Sequence, residues 1–167
     1  MSPQDAEQDA EHDDAGGDWT VLIVEDGDEY LDNLRLTVPG PRYLQAHDGQ
    51  RALSLLQQEV VSLVYLDMRF DRIERAQLLG DHTATMAKHN GNGERAWRFL
   101  ANNQGLYILH ALAEAGHAQL PTILAYDFSR EQRRFDHLSA RHDRLTWVPD
   151  AITPDEIRDR MRRLCGR

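Results

Sequence analysis

The sequence predicts an α/β fold: a five-stranded parallel sheet sandwiched by helices, with an extra helical element after the third strand. Three observations predict it. Short runs of apolar, β-branched residues recur along the chain, too continuously apolar for strands with one wet face. Segments with apolar residues at helical spacing separate most of them and are long enough to serve as crossovers between parallel strands. Two of the strand-like runs end on acids, at the carboxyl ends where open parallel sheets gather their ligands.

Order is expected from Trp19 onward. Thr20–Val24 (TVLIV) is the first strand, and Glu25-Asp26-Gly27-Asp28 ends it with turn and N-cap chemistry. Tyr30, Leu31, Leu34 and Val38 then fall on one helix face, stopped by Pro39-Gly40-Pro41. Tyr43–Ala46 is a second strand, His47-Asp48-Gly49 a turn, and Ala52, Leu53, Leu55 and Leu56 the apolar side of a second helix. Ser62–Asp67 (SLVYLD) is the third strand. The alternation then breaks: residues 69–103 are charged and poor in β-branched residues. One helix over 72–88 and a shorter one over 94–102 are expected there, joined by Asn90-Gly91-Asn92-Gly93. A helix over Gly105–Ala115 ends at Gly116. Pro121–Tyr126 is a fourth strand, Ser129–Ala140 a helix and Leu145–Val148 a fifth strand. Pro154 opens a last helix with Ile157, Met161 and Leu164 on its apolar face.

Composition narrows the function classes. The 167 residues suit one compact domain, 19–167, able to bury a full core without staples. Cys165 is the only cysteine, so no intrachain disulfide is possible, and a cytoplasmic setting is expected. No run reaches the roughly 20 apolar residues of a membrane helix, and the first residues do not resemble a signal peptide. Residues 1–18 hold seven acids and no Lys or Arg, and are expected to form a disordered acidic tail. Without those acids the net charge of −9 falls to −2, so nothing points to nucleic acid, whose phosphates need clustered Lys and Arg.

The chemistry is expected at the strand ends. In the flavodoxin-like strand order 2-1-3-4-5, the first and third strands are neighbours, which brings Glu25 and Asp26 close to Asp67. Three nearby carboxylates repel one another unless protons or a cation intervene. A hard divalent ion such as Mg²⁺ would resolve the conflict. The plainer alternative is that Asp26 or Asp28 only caps a helix. His82 and His89, seven residues apart with no acid or Cys completing a set, make a poor metal pair.

The motifs VLIVED (21–26), HDGQRAL (47–53) and VYLDM (64–68), supported by PTILAY (121–126) and VP (148–149), resemble the receiver domains of two-component response regulators. The resemblance covers 20–165 apart from the 69–103 stretch. It implies a signalling domain rather than an enzyme, with Asp67 as phosphoacceptor. Glu25, Asp26 and the backbone carbonyl of Arg69 would help Asp67 hold Mg²⁺. It further implies a histidine kinase or phosphotransfer protein as donor. The downstream protein partner would be met through the fourth strand, the helix that follows it and the fifth strand.

Three departures stand against a working switch. The family's Ser or Thr at the end of the fourth strand falls here on Tyr126, with Ala125 beside it. The Lys before the Pro after the fifth strand is here Val148, and Lys88, the only Lys of the chain, lies in the insertion. The insertion itself replaces a short loop at the rim of the site. It is read as a helical flap with an exposed charged face. The alternative is that Lys88, Arg69 or Arg72 reaches back to replace the missing cation. Two signalling readings therefore stand: a stand-alone phosphoacceptor, and a pseudo-receiver that binds protein without phosphorylation. A metal-dependent phosphotransfer or hydrolase enzyme would need an Asp-x-Asp pair, which Met68-Arg69 breaks.

Overall fold

The computed structural model describes residues 19–166; the acidic segment 1–18 and Arg167 lie outside the described residues. Five short strands, β1 (Thr20–Val24), β2 (Arg42–Ala46), β3 (Leu63–Asp67), β4 (Thr122–Ala125) and β5 (Leu145–Val148), form one parallel sheet in the order β2-β1-β3-β4-β5. The expected topology is the one observed.

Alternation along the strands builds a core on each face. Leu22, Val24, Val64, Leu66 and Leu124 point to one side. There they meet Ala52, Leu55 and Leu56 of α2 (Gly49–Gln58) and Ile108, Leu109 and Leu112 of α5 (Gln104–Leu112). Val21, Ile23, Leu63, Tyr65 and Ile123 point to the other, against Leu31 and Leu34 of α1 (Glu29–Thr37) and Ile157 and Met161 of α7 (Pro154–Leu164). Each buried Leu, Ile or Val contributes about 1.5–3 kcal/mol. A one-residue slip would exchange the two faces of a strand, although apolar residues fill both. Turn and cap chemistry therefore help hold the register. Asp48 accepts from the Arg51 amide at 2.8 Å to start α2, and Thr153 and Glu156 form a capping box before α7.

The insertion differs from expectation. Residues 72–88 are not one helix: a single 3₁₀ turn, Arg75–Gln77, is followed by an extended passage and then by α3 (His82–Lys88). Gly80 lies in that passage at φ +112°, a backbone conformation closed to most side chains, so no helix crosses it. α4 (Gly93–Asn102) is close to the helix expected over 94–102. It packs on α3 by stacking the His82 imidazole on Trp97, ring centres 3.8 Å apart. His82 also bonds the Gly93 carbonyl at 3.0 Å, a packing role in place of a metal-binding one. The helix after β4, α6 (Gln132–Ser139), starts three residues later than expected, because Asp127 takes the Ser129 amide into a turn.

The insertion is sewn to the sheet. The Phe70 amide donates to the Ala101 carbonyl at 2.9 Å, and the Phe70 ring is fully buried. Gln104, also fully buried, accepts from the Leu79 amide at 2.7 Å and donates back to its carbonyl at 3.0 Å. Gly105 lies so close to β3 that a Cβ there would sit 2.4 Å from the Asp67 carbonyl oxygen. The two ends of the insertion are thereby fixed against the carboxyl end of β3.

Candidate functional site

The register sets Asp67, Ala125 and Val148 side by side at the carboxyl edge of β3, β4 and β5. Beyond that edge lies a cleft of about 470 Å³ walled by Asp26, Asp67, Arg69, Arg72, Tyr126 and Asp150, among others. The sequence-derived site is therefore a real concavity. Its three acids nevertheless have three different fates.

Glu25 turns away from the cleft. Its carboxylate accepts from the amides of Tyr30 and Leu31, both at 3.0 Å, and so caps α1 from the side. Asp28, at the N-cap position, makes no capping bond. Burial pushes the Glu25 carboxyl upward, partly offset by those two amides.

Asp26 is claimed by the insertion. Its side chain is 2% exposed. Oδ2 accepts from the Asp71 and Arg72 amides at 2.9 and 2.8 Å, and Oδ1 lies 3.5 Å from Arg72 Nε. Arg72 extends on to Glu29, donating at 2.7 Å and holding that carboxyl down at about 2. Of the three cations that could have reached back, Arg72 grips an acid, Arg69 lines the cleft and Lys88 is exposed at the end of α3.

Asp67 also lines the cleft, with no arginine on it among the described residues. One oxygen accepts from the Met68 amide at 2.7 Å. Burial, reinforced by the charges of Asp26 and Glu25, pushes its carboxyl up to about 7. Burial thus makes this carboxyl hold its proton more tightly than an ordinary Asp, which weakens it as a nucleophile.

These observations bear directly on Mg²⁺. An oxygen-seeking ion needs several free carboxylate or carbonyl oxygens. Glu25 is spent on α1 and Asp26 on Arg72, and among the described residues no group of three or more His, Cys, Asp or Glu is arranged to hold a metal. In this arrangement Glu25 caps a helix and Asp26 meets Arg72, which leaves Asp67 as the acid of the three engaged by neither.

The two switch positions are also occupied. Val148 is buried in the core and sends no polar group toward Asp67. Tyr126 is half-buried. Its hydroxyl donates to Glu131 at 2.6 Å, its ring packs edge-on against Phe128, and Arg134 lies over it. Arg134 also pairs with Glu131 and hydrogen-bonds Asn103, so Tyr126, α6 and the end of the insertion form one network. Asp127 and Asp150, not singled out from the sequence, line the cleft as well. The signal that would have found them is the one used for Asp67, an acid just beyond a strand end, applied to β4 and β5.

No family model and no curated protein matches the sequence. Solved structures do match in shape. The receiver domain of a Francisella response regulator is 15% identical, with a TM-score of 0.59 over 88% of this chain and 96% of that one. The chemotaxis protein CheY4 of Vibrio cholerae is 14% identical, with a TM-score of 0.57 over 87% and 98%. The receiver domain of NtrX from Brucella abortus is 15% identical, with a TM-score of 0.59 over 87% and 98%. The chain has the fold of response-regulator receiver domains. Among the described residues no helix is long and apolar enough to cross a membrane.

Proposed function

We propose that this chain is a signalling module of the receiver type that binds a protein partner without being phosphorylated. The grip of Arg72 on Asp26 carries the reading. It places a permanent positive charge from the chain itself beside the acid that the resemblance assigns to a dissociable ion. A guanidinium is always charged, so Asp26 has its counter-charge without a ligand.

Three further features support it. Asp67 has a carboxyl lifted to about 7. Val148 offers no cation to a phosphoryl group. Tyr126 is pinned to Glu131, which restrains it from moving in response to events at Asp67.

A second reading keeps Asp67 as phosphoacceptor, with a histidine kinase or phosphotransfer protein as donor. It is favoured by one observation: among the described residues Asp67 forms no ion pair, and Arg69 lines the same cleft. Intact mass after incubation with Mg²⁺ and acetyl phosphate separates the two. The proposed reading expects an unchanged mass. An added phosphoryl group that disappears in Asp67→Asn would establish the second.

A further inference from the structure

The cleft continues into a side cavity of about 180 Å³ that shares Tyr30, Ala125 and Asp150 with it. Its walls are mixed. Pro149, Ile152 and Ile157 are apolar, whereas Tyr30, Tyr65 and Asp150 bring oxygens. The volume is below the roughly 300–1,000 Å³ of pockets for drug-sized ligands, so it suits one side chain.

Tyr65 points to what that side chain is. The residue is 3% exposed, and its hydroxyl has no hydrogen-bond partner among the described residues, although every fully enclosed side-chain nitrogen and oxygen there has one. The hydroxyl therefore meets open space, and the space Tyr65 lines is the cavity. Tyr30 stands 5.2 Å from it, ring centre to ring centre, so two aromatic rings meet at one wall. Asp150 and Asp67 form no ion pair among the described residues; Arg72 is engaged by Asp26 and Glu29.

Two carboxylates without a direct ion pair, two aromatic rings and apolar walls together describe a receptor for a cation on an aliphatic stem. The ammonium would donate to carboxylate and phenol oxygens and lie against the rings. Its methylenes would cover Pro149 and Ile152. A hydrated divalent ion would gain nothing from those apolar walls.

We propose that the cleft and its side cavity receive a lysine side chain presented by a partner protein, with Asp150 and Asp67 as counter-charges and Tyr65 as hydrogen-bond acceptor. The inference rests on the reading of the cleft as a protein-docking site and names the chemistry of that partner.

The test is an amide-resolved NMR titration of the full chain with Nα-acetyl-lysine methylamide, and separately with its Nζ-acetylated, uncharged form. The charged probe should give saturable shifts at Ala125, Asp150 and Ile152 with a dissociation constant on the order of 10 mM, as expected of one isolated side chain. Asp150→Asn, at an exposed position that leaves the core intact, should weaken it roughly tenfold, and Tyr65→Phe should also weaken it. Equal binding of the uncharged probe, no saturable shifts, or a response indifferent to Asp150→Asn would overturn the inference. The intact-mass experiment fails or succeeds independently, so a phosphorylated Asp67 would sink the functional reading while leaving the lysine pocket to be judged by its own titration.

Discussion

At the scale of single residues, identical side chains acquire different chemistry from what surrounds them. Asp26 and Asp67 both lie at strand ends of one sheet, yet Asp26 faces a guanidinium while Asp67 receives only backbone amides and is desolvated. The Asp67 carboxyl, lifted from an ordinary value near 3.8 to about 7, binds a proton more tightly in the folded chain than in the unfolded one. Its contribution to stability is thus intact below about pH 4 and is lost as pH rises to about 7. Asp67→Asn should remove that loss. Urea midpoints should show the variant gaining about 1–3 kcal/mol over the parent between pH 5 and pH 8; parallel pH profiles would contradict the desolvation of Asp67. For Glu29, carboxyl NMR titration should find a value of about 2 that returns toward 4.5 in Arg72→Ala. Of these residues, the sequence made the acids visible but not their roles. An acid after a β-branched run is legible, whereas whether it faces a cleft, as Asp67 does, or folds back on a helix, as Glu25 does, depends on the path of the following loop.

At the scale of elements, the insertion behaves as a clasp held at both ends. Gln104 braces it through the Leu79 amide and carbonyl. Removing that amide in Gln104→Ala leaves the Leu79 backbone groups without their partner, a cost of about 1–3 kcal/mol. Amide exchange over 75–88 should accelerate in the variant, while exchange over β1 and β3 changes far less; uniform acceleration would mean that the insertion is not a separate clasp. Gly105→Ala acts at the other anchor, because a Cβ would meet the Asp67 carbonyl at 2.4 Å and the Met68 Cα at 2.9 Å, both backbone. Pushing α5 off β3 should lower the unfolding free energy by about 1–3 kcal/mol, measured by urea denaturation. Strands and flanking helices were readable because runs such as TVLIV and SLVYLD have no other burial solution than a doubly covered sheet. The insertion was not, because residues 72–88 carry no sustained helical period. Its course is set by Gly80 at positive φ and by Gln104, a long-range partner 25 residues from Leu79.

At the scale of the whole molecule, a receiver fold carries an acidic site in which one acid, Asp26, already has a cation from its own chain. The sheet order follows from short apolar strands and long crossovers, so the order of the five strands was legible. The electrostatic state of the cleft was not, since it depends on one arginine, Arg72, reaching across 46 residues of sequence to Asp26. Arg72 as the resident cation of the acidic site is the central claim, and calorimetric titration with Mg²⁺ tests it most directly. The parent chain should show no saturable binding at millimolar Mg²⁺, and Arg72→Ala, which takes the guanidinium from Oδ1 while both amides stay on Oδ2, should bind the ion measurably. Tight Mg²⁺ binding by the parent, unchanged in Arg72→Ala and abolished in Asp67→Asn, would contradict it.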